Sequence, residues 1–66
     1  MLSNDIKELN DEYYNFFVNV VNLNAQLKHY TIMKDTVEIY NTTIERNYNQ
    51  SQMMIRKKAI IKLMKQ

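Results

Sequence analysis

Eight apolar residues, Ile6, Leu9, Tyr13, Phe16, Val20, Leu23, Leu27 and Tyr30, recur at alternating spacings of three and four with no polar member among them. This is the seam of a coiled coil or helical bundle, in which apolar positions return roughly every 3.5 residues. A strand reading fails, because Tyr13-Tyr14, Phe16-Phe17 and Val20-Val21 are adjacent apolar pairs and not alternating ones. The second members of those pairs, Tyr14, Phe17 and Val21, form another stripe beside the seam. This helix therefore offers more apolar surface than one neighbour ordinarily covers.

The middle of the seam, Tyr13 to Leu27, carries no charge and five carboxamides. Asn15, Asn19, Asn22 and Gln26 fall on one line along the helix. They read either as an amide ladder inside an interface, each side chain both donating and accepting, or as a neutral face turned to solvent. With nine asparagines in the chain, the solvent-facing reading is preferred.

Glycine, proline and cysteine are all absent from the 66 residues. Without glycine the tight turns of a small sheet protein have no residue suited to positive φ except asparagine, so the fold class is all-α. Without cysteine there is neither a disulfide nor a thiolate metal site. A core of this size supplies only about 3–5 kcal/mol. The expected architecture is one domain, residues 1–66, folded as a helical hairpin or small coiled-coil-like bundle and completed by oligomerisation or by a partner protein.

Taken in order, the first helix is expected over about 4–30. Its N-cap is Ser3 with Asp5 in the first turn, or Asp5 itself in a capping box with Glu8. The heptad then slips by three, with Met33, Val37, Tyr40 and Ile44 as the next apolar residues. Such a slip marks a stammer in one long helix or a turn. Thr31 and Asp35 are candidate caps there, and Asp35-Thr-Val-Glu38 has capping-box form. A second break is expected within Asn47–Gln52, a polar run where the period lapses and Ser51 can cap. The sequence thus divides into helices at about 4–30, 34–48 and 51–65. The last is a basic amphipathic helix, with Met53, Ile60 and Met64 on one side and Lys58, Lys62 and Lys65 on the other.

Charge is unevenly placed. Residues 1–12 hold four carboxylates against Lys7, and residues 47–66 hold Arg56, Lys57, Lys58, Lys62 and Lys65 with no acid. Acid at the start and base at the end favour an antiparallel arrangement of the two ends. The five C-terminal cations are candidate nucleic-acid contacts, since cations along a helix can track phosphates. A membrane surface, a groove on another protein and simple packing on the acidic first helix are the competing readings. The acidic start is unlike a secretory signal, and no run reaches the ~18 apolar residues of a membrane span. A cytoplasmic location, or one inside a virion, is expected.

Little in the chain resembles catalytic machinery. His29 is the sole histidine, and there is no phosphate-binding loop or nucleophile motif. No enzyme activity, cofactor or metal is expected. Asn41-Thr-Thr43 and Asn49-Gln-Ser51 match glycosylation sequons, which nine asparagines produce by chance. The candidate protein interface is Ile6, Leu9, Tyr13, Phe16, Phe17, Val20, Leu23, Leu27 and Tyr30. Phe, Tyr, Met, Ile, Asn and Lys supply 35 residues while Gly, Ala, Arg and Pro supply 4, the signature of an AT-rich gene. Together these features lead to a structural or protein-interaction protein. The most concrete expectation is a small phage or viral assembly protein that lines, scaffolds or glues a capsid, acting as a homo-oligomer or on a larger partner such as a capsid protein. The alternatives are a small dimeric nucleic-acid-binding regulator using the basic C-terminal helix, and a small helical inhibitor of a host protein.

Overall fold

The apolar heptad folds as a single helix, and the chain turns back once. The structure, a computed structural model, describes residues 2–65. It is an all-α hairpin of two helices, α1 (Leu2–Met33) and α2 (Thr36–Met64). At ~1.5 Å of rise per residue, the 32 residues of α1 account for the 48 Å length of a rod only 13 Å across. Its radius of gyration is 15.0 Å, against about 11 Å for a compact domain of this length. Among the described residues there is therefore a seam and no enclosed core.

The turn comprises Lys34 and Asp35. Lys34 takes the left-handed conformation, φ 59°. Its N–H donates to the Thr31 carbonyl at 3.2 Å, and the Asp35 N–H donates to the Tyr30 carbonyl at 3.0 Å. This pair of bonds is a Schellman ending, with lysine in the place glycine usually takes. Asp35 then caps α2, its carboxylate accepting from the Glu38 N–H at 3.3 Å. The expected turn at 30–35 and the cap at Asp35 are therefore present.

Two expectations are corrected. Helix α1 starts at Leu2, so Ser3 and the Asp5–Glu8 pair lie inside the helix and not at its cap. The second break at 47–52 does not occur, because α2 continues through it without interruption. The polar residues there are taken up by the helix itself: the Asn49 amide donates back to the Glu45 carbonyl at 2.8 Å, and Arg56 donates to the Gln52 side chain at 2.6 Å. Among the described residues there are two helices where three were expected.

The turn sets an antiparallel register that holds along the rod. Asn24 pairs with Arg46, Asn19 with Asn49, and Glu12 with Arg56. The acidic start therefore lies beside the basic end. At position 34 a β-carbon in the left-handed region costs about 1–2 kcal/mol. Lys34→Gly is expected to raise unfolding stability by up to about 1 kcal/mol in urea titrations. A lower stability would contradict the turn geometry.

Candidate protein-interaction surfaces

Three surfaces follow from the helix periods. The first is the seam. All eight heptad residues of α1, Ile6 through Tyr30, are half-buried or buried against α2, with Leu23 only 6% exposed. Phe17, also expected at the interface, lies outside the seam and is exposed.

Helix α2 meets this apolar row with a different kind of face. Its inward residues are Ile39, Thr42, Arg46, Asn49, Met53, Arg56, Ile60 and Leu63, again spaced alternately by three and four. Half of them are polar. Thr42 and Asn49 are as buried as Leu23, at 5% and 7% exposure. Asn19 donates to the Asn49 side-chain oxygen at 3.1 Å across the seam. Arg46 donates to the side-chain oxygens of Asn24 and Asn47. Arg56 lies over the Phe16 ring, 4.7 Å from its centroid, and its guanidinium is 3.9 Å from Glu12. The Nε atoms of both arginines are buried without a hydrogen-bond partner. Arginine stems cover apolar surface while their heads seek polar groups, which is how two cations sit in an otherwise neutral seam.

The second surface is the flank of α1. Tyr14, Phe17 and Val21 are exposed, between 43% and 61%, with Val18 beside them. Phe17 stacks with both Tyr13 and Tyr14, at centroid distances of 6.4 and 6.3 Å. This is the extra stripe visible in the sequence. Of the four aligned carboxamides, only Asn19 reaches α2; Asn15, Asn22 and Gln26 are exposed. His29 is exposed too, its ring edge-on to Tyr30 at 5.6 Å.

The third surface was not identified from the sequence. On the side of α2 away from α1, Val37, Tyr40, Ile44, Tyr48 and Ile55 are exposed, each between 53% and 68%. Val37, Tyr40 and Ile44 continue the apolar sequence of α1 but not its seam. The signal available was their own helical period, which runs on to Tyr48 and Ile55. Around Ser51 this side forms an open groove of about 450 Å³, lined by Asn47, Gln50, Ser51, Met54, Ile55 and Lys58.

Of the five C-terminal cations, Arg56 turns into the seam while Lys57, Lys58, Lys62 and Lys65 are exposed. Among the described residues no group of three or more His, Cys, Asp or Glu is placed to hold a metal ion, and no helix is long and apolar enough to cross a membrane. Comparison with protein-family models, curated proteins and solved structures finds no match to this chain.

The asymmetry of the amides gives a test. Asn49→Ala removes a buried side chain bonded at both ends and is expected to cost about 1–3 kcal/mol of stability. Asn22→Ala, on the exposed line, is expected to change stability by no more than about 0.5 kcal/mol. Equal effects in chemical denaturation would mean that the carboxamides act as one set.

Proposed function

We propose that this chain is a non-enzymatic structural protein whose work is protein–protein contact, most concretely a small phage or viral assembly protein. The observation that carries the reading is the exposure of large apolar side chains on both helices. Tyr14, Phe17 and Val21 on α1, and Val37, Tyr40, Ile44, Tyr48 and Ile55 on α2, stand in water along a narrow rod. Contiguous exposed apolar surface on a small protein marks an interaction site. The AT-rich composition and the scarcity of catalytic groups support an assembly role over chemistry.

In this reading the α1 flank receives the larger partner, such as a capsid protein. Immobilised chain is expected to retain one abundant structural protein from particles of the native source. The double variant Tyr14→Lys/Val21→Lys should lose that protein while keeping the wild-type helical circular-dichroism signal, since both residues lie outside the seam. Retention by the variant, or no retention by the wild type, would contradict the assignment of this flank.

A second reading has its own observation in favour. Lys57, Lys58, Lys62 and Lys65 are all exposed at one end of the rod, where a phosphate backbone can approach. If that end serves nucleic acid, replacing Lys58, Lys62 and Lys65 with Gln abolishes low-salt binding of a labelled duplex and leaves the fold intact. Absence of duplex binding by the wild type at low salt removes this reading.

A further inference from the structure

We infer that one broad side of the hairpin takes a single amphipathic helix of the partner, acidic at both ends and apolar in its middle, as the third helix of a bundle. The inference rests on the interaction role proposed above and names the element by which the larger partner docks on the α1 flank.

The helical phase divides the rod into two unlike sides. Each residue turns the helix by about 100°. Residues directly after a seam position therefore face one broad side, and residues directly before one face the other. The antiparallel pairing gives both helices the same sense. On the first side the α1 flank, Tyr14, Phe17 and Val21, follows Tyr13, Phe16 and Val20. Asn47, Gln50, Met54, Lys57 and Ile61 of α2 follow seam residues too, and all five are exposed.

Two contacts tie these rows together across the hairpin. Arg46 donates to Asn24 and to Asn47 at once, and Asn10, Tyr13, Lys57 and Ile60 line one shared depression. Asn24 and Asn10 extend the α1 flank at its two ends, each directly after a seam leucine. The two rows thus bound a furrow between the helices, with residues spaced alternately by three and four on both walls. That spacing is the one a third helix needs to seat its own side chains.

Charge names the chemistry of the occupant. None of the chain's seven carboxylates follows a seam residue, while Asp5, Glu8, Glu12, Glu38 and Glu45 each precede one and so fall on the opposite side. The first side carries cations instead, and only toward its ends. Lys7 and Lys57 stand with Asn10 at one end, and Lys28 and Arg46 with Asn24 at the other. Lys7 and Lys28 are about six turns apart along α1, or roughly 31 Å, and the row between them is amide and apolar. A helix that satisfies this side has carboxylates at both ends and large apolar side chains in its middle turns. Nucleic acid fits it poorly. Phosphates recur every ~3.4 Å along each strand of a duplex, and Val21, Met54 and Ile61 offer bases no ring to stack on. A second copy presenting the same side, apolar middles aligned, sets Lys7 against Lys28 in an antiparallel pair and each lysine against its own copy in a parallel one. Like charges opposed in this way suppress that pairing.

The probes are two synthetic amphipathic peptides of about six helical turns, identical in their apolar middle and ended by Glu in one and by Lys in the other. The full chain is expected to bind the Glu-ended peptide at least about tenfold more tightly in fluorescence anisotropy. Lys28→Glu/Lys57→Glu should reverse that preference, and Met54→Glu, on the α2 wall, should weaken the Glu-ended peptide about tenfold. All three residues are exposed, so the helical circular-dichroism signal stays that of the wild type. Equal binding of the two peptides, or binding of neither, would overturn the inference, and an unchanged affinity in Met54→Glu would place the ligand on α1 alone. A labelled single-stranded oligonucleotide that displaces the Glu-ended peptide at moderate salt would give this side to nucleic acid. Self-association of the wild type that Met54→Glu abolishes would give it to a second copy. A particle protein lost with Tyr14→Lys/Val21→Lys but held unchanged by Met54→Glu would sink the furrow and leave the assembly role standing. Binding of the Glu-ended peptide with no particle protein retained would leave the furrow standing and remove that role.

Discussion

The two-residue turn decides which face of α2 looks inward. Lys34 in the left-handed region and Asp35 at the cap leave no slack between the helices, so the phase of α2 relative to α1 is set there. The inward row of α2 consequently begins at Ile39 and not at Val37. Everything after it, the placement of Thr42, Arg46, Asn49 and Arg56 in the seam and of Tyr40, Ile44 and Tyr48 outside it, is a consequence of that phase. Had the helix continued two residues further before turning, a different face of α2 would have met α1.

The seam that results is unequal. Helix α1 contributes eight apolar residues and α2 contributes four, with polar groups between them. Among the described residues, Leu23, at 6% exposure, is the only buried apolar side chain. Burying a leucine contributes about 1.5–3 kcal/mol, and the polar groups opposite it return only about 0.5–1.5 kcal/mol per hydrogen bond. Ordering 60-odd residues costs far more than such a seam supplies on its own. We propose that the exposed stripes on the α1 flank and on the outer side of α2 supply the remaining stabilisation by association.

The sequence made some of this plain. The period of α1 is uninterrupted, and all eight of its seam positions turn inward. The cap at Asp35 has a local signature that needs no tertiary context, and the acid–base asymmetry of the ends fits the antiparallel pairing. The second arm was harder to read because apolar periodicity there marks the outer face. Arg46 and Arg56 look like solvent-facing residues in sequence, yet long aliphatic stems let them lie in a seam. Asn47–Gln52 looks like a loop, yet Asn49 and Gln52 are satisfied within the helix and across it. Lys34 carries no signal for a left-handed turn, since lysine ordinarily avoids that region and is held there by the turn's bonds to Thr31 and Tyr30.

The central claim is that the hairpin depends on association for its stability. The most direct measurement is thermal unfolding of the purified chain by circular dichroism at concentrations a hundredfold apart. The account predicts a midpoint that rises clearly with concentration, as it must when the folded state is an assembly. A midpoint that stays fixed, with full helicity at the lowest concentration, would show that the unequal seam suffices by itself and would contradict the account.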